Sequence, residues 1–319
     1  MISSFVITGF LGVGKTTMLT NSVKQHFPDK KIAIIVNEFG DIGVDSTILK
    51  NVHSEILEIS EGCICCQLAE EFESGVQEII HKYEPEILFV ETSGASEPFP
   101  IYYSLNTLGI SVEGVICVID AKNYKSYSDE DIFKYQIGGS NILVLNKSDL
   151  VSENEILQVE KDVATIKEKF NIKNTMTGVP IFKNHYFVRT SHGELGREIF
   201  EDISLGEIEN LDDVEKVVQS SNPLISKTVY IKETTFDTLD NFITTLPENI
   251  YRAKGIVKLS DMDDTMIANS SFGDVHYDKY EGEIKSSFLV LIGKDIEETI
   301  VELEKKFDFV NVPKFTLKG

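Results

Sequence analysis

Residues 9–16 have the sequence GFLGVGKT, which fits the pattern GxxxxGK[ST]. An apolar stretch that predicts a strand precedes this segment, and a stretch that predicts a helix follows it, which is the context that such a loop requires. Glycines let the backbone wrap closely around phosphate groups and point its N–H groups inward, and the following helix adds the positive end of its dipole. The segment therefore predicts a phosphate-binding loop.

The residue types inside this loop suggest separate roles. Lys15 is expected to reach the β- and γ-phosphates of a nucleotide, and the hydroxyl of Thr16 is expected to ligate Mg²⁺. The predicted phosphate contacts come from Gly9, Gly12, Val13, Gly14, Lys15, Thr16 and Thr17.

A second motif, NKSD at residues 146–149, directly follows the apolar run 142–145. The carboxylate of Asp149 can accept hydrogen bonds from both N1–H and the exocyclic amine of guanine, whereas adenine offers no matching donors. Hydrogen bonds to charged groups contribute roughly 1.5–3 kcal/mol each, so two of them can give a preference of about 100-fold or more. With the phosphate-binding loop upstream, Asn146, Lys147 and Asp149 predict a site for GTP and GDP.

A third segment, ETSG at residues 91–94, follows the apolar run 87–90. Glu91 can hold a water bound to Mg²⁺, and the amide of Gly94 can approach the γ-phosphate because no side chain stands in the way. Catalysis is therefore assigned to Lys15, Thr16, Glu91 and Gly94, with Thr16 and Glu91 at the magnesium ion. The sequence identifies no general base for hydrolysis.

Three of the four cysteines, Cys63, Cys65 and Cys66, fall within four residues of a GCICC segment. Three thiolates from one loop can supply three soft ligands to a tetrahedral metal ion and leave its fourth position open. Zinc is the expected metal, with Co²⁺ and Ni²⁺ as alternatives. The competing interpretations are a redox-active thiol pair and small apolar side chains at a helix start. Cys117, inside the apolar run 115–119, is expected to fill the core.

The elements that position these motifs alternate between short apolar runs and amphipathic stretches. Strands are predicted at residues 3–8, 31–36, 87–90, 112–119 and 142–145, and a further strand at 186–189 precedes a helix starting near residue 193. Such alternation predicts a parallel sheet with helices on both faces and ligands at the loops after the carboxyl ends of the strands. The expected fold class is α/β, a P-loop NTPase with a doubly wound, mostly parallel sheet.

After residue 227 the order of elements changes, which predicts a smaller α+β C-terminal domain. A strand is expected at 228–232, a helix at 236–246, strands at 255–259, 272–276 and 288–292, and a final helix at 296–307. The expected division is a GTPase domain with the CxCC motif at 1–205, an acidic linker at 206–226 and the C-terminal domain at 227–319. For the C-terminal domain, recognition of a target and a structural lid are equally supported.

The composition excludes several classes of protein. The chain has 319 residues, with 30 Lys+Arg against 52 Asp+Glu and a formal net charge of −22. Such a chain repels phosphate backbones and anionic lipid headgroups, so neither nucleic acid nor a membrane is an expected partner. Four cysteines are too few for a disulfide framework in a chain of this length. The sequence shows neither a signal-peptide pattern nor an apolar run of roughly 18 residues, so a cytoplasmic protein is expected.

Taken in order, the segments GFLGVGKTT, NEFGDIGVD, GCICC, ETSGASEP and NKSD resemble the CobW-like GTPases, a P-loop group linked to metal delivery and to cobalamin synthesis. The resemblance covers the chain through roughly residue 150, and the later RAKG and VHY segments resemble the C-terminal domain of that family more weakly. It implies a zinc or related divalent-ion site at the CxCC motif that communicates with the nucleotide pocket.

The resemblance also raises Glu38 as an additional metal ligand. From the residues alone, Glu38 and Asp41 are more consistent with a solvated loop than with a metal site. A client metalloprotein or a cofactor-synthesis enzyme is the implied protein partner. The second guanine-contacting loop is placed at residues 190–192.

The expected function is that of a GTPase metallochaperone. Binding of GTP·Mg²⁺ would order the loops around residues 37–45 and Gly94 and rearrange the cysteine site, and hydrolysis to GDP and phosphate would reset it. Two other classes stay open. A P-loop kinase would be disfavoured by guanine-selective hydrolysis without an acceptor, and a nucleotide-bound thiol redox or metal sensor would form a reversible disulfide and show no metal-responsive turnover.

Overall fold

The computed structural model describes residues 2–38, 55–60, 67–174, 176–182, 185–201, 224–282 and 284–311. For residues 37, 38, 55–60 and 67–71 only the backbone is described. These residues form two compact units, the first ending at Glu201 and the second beginning at Leu224. The linker expected at 206–226 falls outside the described residues as far as residue 223.

The first unit is built on a sheet of seven parallel strands. The strand order is β3-β2-β4-β1-β5-β6-β7, and each pair of neighbours runs parallel. Because β1 lies between β4 and β5, the strand order reverses there, and a crevice forms at the carboxyl end of β1, where ligands bind in such sheets. The predicted doubly wound fold is confirmed. The strands are β1 Ser3–Thr8, β2 Ile32–Glu38, β3 Glu55–Ser60, β4 Ile87–Glu91, β5 Ser111–Asp120, β6 Ile142–Asn146 and β7 Tyr186–Arg189.

The helices of this unit are Lys15–His26, Gln67–Tyr83, Phe99–Thr107, Asp131–Gly138, Glu153–Phe170 and Glu198–Glu201. The longest begins with a capping box, in which the Ser152 hydroxyl accepts from the Glu155 N–H and the Glu155 carboxylate accepts from the Ser152 N–H. The helix predicted to start near residue 193 starts instead at Glu198. Gly193 lies in a turn, with φ at +69°, and its N–H donates to Oδ1 of Asn146.

The core of the first unit is apolar on both faces of the sheet. All residues of β4 and β6 are buried, because their sequences are continuously apolar up to the final polar residue. Cys117 in β5 is fully buried, and burial raises the pKa of its thiol to about 12, which confirms it as a core residue. None of the described helices is long and apolar enough to cross a membrane.

The second unit has a six-stranded antiparallel sheet in the order β11-β10-β9-β12-β8-β13. Two helices, Phe236–Thr244 and Glu297–Lys306, contribute Leu239, Phe242 and Ile300 to one core with the sheet. This arrangement confirms the predicted α+β domain. The strands are β8 Ile225–Ile231, β9 Ile250–Lys258, β10 Thr265–Ser271, β11 Asp274–Tyr280, β12 Ser287–Gly293 and β13 Val310–Asn311.

One predicted strand in this unit has the wrong bounds. The strand expected at 272–276 begins in a two-residue hairpin turn, because Phe272 and Gly273 have φ values of +51° and +83° and Ser271 pairs with Asp274. Positive φ at both central residues is typical of the turns that join antiparallel strands. The preceding strand β10 escaped prediction because Asn269, Ser270 and Ser271 break its apolar pattern.

A buried ammonium group joins two helices of the first unit. Lys167 is 1% exposed, and its Nζ donates to the carbonyl oxygens of Gly138 at 2.7 Å and Ser140 at 2.6 Å. Gly138 is the last residue of its helix, where carbonyl groups lack intrahelical donors, so the lysine satisfies them. Burial lowers the pKa of Lys167 to about 7.

We expect Lys167 to make the free energy of unfolding rise with pH above about 7. Its folded pKa lies below that of an unfolded lysine, about 10.4, so between these values the unfolded state binds more protons and folding becomes more favourable as pH rises. The contribution is about 2 kcal/mol between pH 7.5 and 9.5. Urea unfolding at both pH values measures it. Lys167→Met, which has no titratable group, is expected to lose this increment, and an unchanged pH dependence would contradict the prediction.

Candidate nucleotide-binding site

The loop of residues 9–16 joins the carboxyl end of β1 to the helix Lys15–His26. Gly14 directly precedes this helix with φ at +99°, and a Cβ atom at this position would lie 2.6 Å from Nδ2 of Asn146. Both facts require glycine. The loop therefore stays open on its inner side, and the N–H groups of the first helical turn are available to an anion.

Lys15 supplies a positive charge to this loop. It is 7% exposed, and its Nζ donates to the carbonyl oxygens of Gly9 at 2.9 Å and Phe10 at 3.0 Å. The ammonium group is thus held along the loop from which it would reach a phosphate. In a chain with a net charge of −22, a buried lysine beside the N-terminus of a helix is a local concentration of positive charge.

Thr16 and Glu91 meet beside this loop. The Thr16 hydroxyl donates to Oε1 of Glu91 at 2.9 Å, because β1 and β4 are adjacent and parallel and their carboxyl ends lie together. Glu91 is 4% exposed. A hydroxyl and a carboxylate form an oxygen-only set of donors, which fits the ligand preference of Mg²⁺.

Gly94 packs directly against the phosphate-binding loop. A Cβ atom here would lie 2.9 Å from the backbone nitrogen of Leu11, so a larger residue would separate the two loops. The fully buried Gln136 holds the same turn, since its Nε2 donates to the carbonyl oxygens of Gly94 at 3.2 Å and Ser96 at 3.0 Å. The sequence analysis did not identify Gln136, because a single glutamine in an amphipathic helix carries no distinguishing signal.

Asn146 links three loops. Its Nδ2 donates to the carbonyl oxygen of Val13 at 3.0 Å, and its Oδ1 accepts from the N–H of Gly193 at 3.0 Å. The next residue, Lys147, has φ at +58°, and its Nζ donates to the carbonyl oxygen of Gly12 at 3.4 Å. Asp149 lies in the exposed turn that follows β6. The structure therefore brings the NKSD motif and the phosphate-binding loop together.

The loop after β7 adjoins the NKSD motif. The carbonyl oxygen of Thr190 accepts hydrogen bonds from both the N–H and the hydroxyl of Ser148. The carbonyl oxygen of His192 accepts from Asn21 at 2.8 Å, which ties the loop to the helix after β1. Residues 190–192 thus lie next to NKSD, and their contact with guanine stays a prediction.

One further carboxyl group lies in the loop after β4. Burial raises the pKa of Glu97 to about 7, so this group exchanges its proton near neutral pH. Glu97 belongs to the ETSGASEP segment, although the sequence analysis assigned it no role.

The predicted transition-metal ligands Cys63, Cys65 and Cys66, the loop residue Asp41 and the side chain of Glu38 lie outside the described residues. The backbone nevertheless shows where the two ligand segments leave the sheet. β2 and β3 pair in parallel with Glu38 opposite Ser60, so both segments start from the same edge. Within the described ranges, no group of three or more His, Cys, Asp or Glu residues is placed to hold a metal ion.

Comparisons with known proteins agree with this geometry. Residues 3–174 match the family model "CobW/HypB/UreG, nucleotide-binding domain", and residues 226–308 match "Cobalamin synthesis protein cobW C-terminal domain". The chain is 32% identical over 198 residues to the zinc chaperone CobW of Sinorhizobium, covering 51% of this chain and 56% of that protein. It is 33% identical over 156 residues to the zinc chaperone YeiR of Escherichia coli, covering 47% of each.

A third relative aligns over a longer stretch. The zinc-regulated GTPase metalloprotein activator 1 of Saccharomyces cerevisiae is 26% identical over 362 aligned positions, covering 94% of this chain and 82% of that protein. The chain spans about half the length of the zinc chaperones CobW and YeiR that it matches. The family models cover both units, and the resemblance seen in the sequence is confirmed. The chain belongs to the CobW/HypB/UreG family of nucleotide-binding proteins and carries a cobW-type C-terminal domain.

Proposed function

We propose that the protein is a GTPase that binds a divalent metal ion, first of all zinc, at Cys63, Cys65 and Cys66 and delivers it to a client metalloprotein or a cofactor-synthesis enzyme. The hydrogen bond from Thr16 to Glu91, beside the buried Lys15, carries the GTPase part of this proposal. This hydrogen bond joins the loop of residues 9–16 to the ETSG segment at the carboxyl ends of two adjacent strands. Hydrolysis of a nucleoside triphosphate depends on such positioning of a phosphate-binding loop and a magnesium-binding carboxylate. The relatives include two zinc chaperones and a zinc-regulated GTPase metalloprotein activator, which supports zinc as the cargo.

The phosphate groups would lie in the loop formed by residues 9–17. The N–H groups at the start of the helix donate to the phosphate oxygens, and Nζ of Lys15 moves from the carbonyl oxygens of Gly9 and Phe10 to the β- and γ-phosphates. Thr16 and Glu91 would hold Mg²⁺, which would supply neutralisation of the negative charge on the phosphates.

Hydrolysis would depend mainly on position and charge. A water molecule attacks the γ-phosphorus and the bond to the β-phosphate oxygen breaks, leaving GDP and phosphate. Lys15 stabilises the negative charge on the transferred group, and the N–H of Gly94 donates to a γ-phosphate oxygen. Gln136 keeps Gly94 in place through the carbonyl groups of the same turn.

Coupling to the metal would follow from the shared edge of the sheet. Glu38 and the CxCC segment leave adjacent strands, and the turn at Gly94 follows β4, which pairs with β2 on its other side. If GTP and GDP favour different arrangements of these loops, the metal affinity must differ between the two nucleotide states, and the nucleotide affinity must change by the same factor.

We expect zinc bound at the CxCC motif to raise kcat for GTP hydrolysis. The triple variant Cys63→Ser/Cys65→Ser/Cys66→Ser should hydrolyse GTP at the unstimulated rate with or without zinc. Phosphate release with zinc, cobalt and nickel, after metal analysis of protein purified without added metal, measures both effects.

The matched control is Cys117→Ala, which removes a buried thiol outside the motif. It should keep the stimulation by zinc. Equal stimulation of the triple variant and the wild type would remove the CxCC motif from the proposal.

A further inference from the structure

A buried carboxylate, Asp120, ends β5 at the same edge of the sheet as the phosphate-binding loop. It is 1% exposed. Its Oδ1 accepts from the N–H groups of Lys122 at 2.9 Å and Asn123 at 3.1 Å, and its Oδ2 accepts from Nδ2 of Asn123 at 2.9 Å. These three donors come from its own turn, so the position of the carboxylate is set locally.

The backbone of Asp120 is also fixed to the phosphate-binding loop. The Tyr127 hydroxyl accepts from the N–H of Asp120 at 2.8 Å and donates to its carbonyl oxygen at 3.0 Å. The Tyr127 ring stacks on that of Phe10, with centroids 5.0 Å apart and planes 8° apart. Phe10 is the second residue of the phosphate-binding loop, and both rings are fully buried.

The fourth donor to Asp120 comes from the NKSD motif. Nζ of Lys147 lies 2.6 Å from Oδ2 of Asp120, and the Lys147 side chain is 25% exposed. The backbone of Lys147 is held in a left-handed turn, and its ammonium group also reaches the carbonyl oxygen of Gly12. The side chain is therefore fixed at both ends, and its four-carbon stem lies between the phosphate-binding loop and the turn that carries Asp149.

We propose that Asp120 is a positioning residue for guanine nucleotides, which acts by holding Lys147 as a wall of the purine subsite. The proposal depends on the proposed function, because it takes the NKSD motif as the base-binding loop. A lysine stem that is ordered before the nucleotide arrives loses less conformational freedom on binding, so the affinity for the base rises without any contact between Asp120 and the ligand. The Asp120 carboxylate contacts Lys147 and its own turn, so its effect is expected to fall on the base rather than on the phosphates.

The test is a double-mutant cycle on the full chain, with GDP, pyrophosphate and ADP as probes in titration calorimetry with Mg²⁺. Asp120→Asn keeps the size of the side chain and an oxygen that can accept from the turn, and it removes the charge that holds Lys147. The expected result is an increase of about 10-fold in the Kd for GDP, with the Kd for pyrophosphate changed less than twofold. Lys147→Met should weaken GDP binding by a similar factor. Adding Asp120→Asn to Lys147→Met should cause no further loss of affinity for GDP.

Asp131→Asn is the matched control, because Asp131 forms a partly exposed ion pair with Lys134 at 3.3 Å. It should bind all three probes as the wild type does. An equal loss of GDP and pyrophosphate in Asp120→Asn, or effects of Asp120→Asn and Lys147→Met that multiply, would overturn the positioning role. If Asp120→Asn does not fold, Asp120→Glu takes its place, because it moves the charge by one methylene group. It should likewise raise the Kd for GDP and leave the Kd for pyrophosphate nearly unchanged.

Binding of GDP and ADP to the wild type distinguishes a failure of this proposal from a failure of the proposed function. If it binds GDP no better than ADP, guanine specificity fails, and the cycle repeated with the nucleotide that does bind still decides whether Asp120 acts through Lys147.

Discussion

Lys15→Ala is expected to lower the affinity for GTP by about 100-fold or more while zinc binding at Cys63, Cys65 and Cys66 is kept. In the proposed complex, the ammonium group of Lys15 leaves the carbonyl oxygens of Gly9 and Phe10 and donates to the β- and γ-phosphates. Its loss would remove two charge-assisted hydrogen bonds, each worth roughly 1.5–3 kcal/mol. Titration with a fluorescent, non-hydrolysable GTP analogue measures the nucleotide affinity, and competition with a zinc chelator measures the metal affinity.

The control for this experiment is Lys24→Ala, a change on the exposed face of the same helix. It should leave both affinities unchanged. If Lys15→Ala lost nucleotide and zinc together and also lost its cooperative unfolding transition, one misfolding event would explain both, and the separate roles of the two sites would be contradicted.

Asp149→Asn is expected to reverse the preference of the site from guanine to xanthine nucleotides. The carboxylate can accept from N1–H and the exocyclic amine of guanine, whereas an asparagine amide offers one acceptor and one donor. Xanthine keeps N1–H and replaces the amine by a carbonyl oxygen, which matches the amide. Two such bonds correspond to about 100-fold in affinity.

Competition of GDP, XDP and ADP for the same site measures this reversal. The Asp131→Asn variant, which also changes a carboxylate to an amide, should keep the guanine preference. A variant at Asp149 that bound GDP as tightly as the wild type would show that another group recognises the base.

Much of the fold could be predicted because the central strands are continuously apolar. β1, β4 and β6 are buried on both faces, so their sequences leave no alternative to a strand in a parallel sheet. β3, with the sequence EILEIS, lies at the sheet edge, where charged residues interrupt the apolar pattern. The sequence analysis therefore predicted no strand at β3. In the second unit it also missed β10, because half-buried strands tolerate polar residues on one face.

The candidate site was predictable where chemistry requires a fixed spacing. The motifs around Lys15, Glu91 and Asp149 each lie within one loop, so their residues are recognisable in the sequence. Asp120 and Gln136 were missed because they act across the fold. Asp120 is 27 residues from Lys147, and Gln136 is 42 residues from Gly94. Such pairs become visible only when the strand order is known.

The two hydrogen bonds of Asn146 have a consequence for synthesis of the chain on the ribosome. One reaches Val13, 133 residues earlier, and the other reaches Gly193, 47 residues later. Contacts between such distant residues slow folding, because long loops must close before the bonds form. While the segment around residue 193 is still inside the ribosome, the emerged chain carries the phosphate-binding loop without the loop that is predicted to complete the base-binding side. We therefore expect the newly made protein to acquire its nucleotide late, after residue 193 of the 319 residues has emerged.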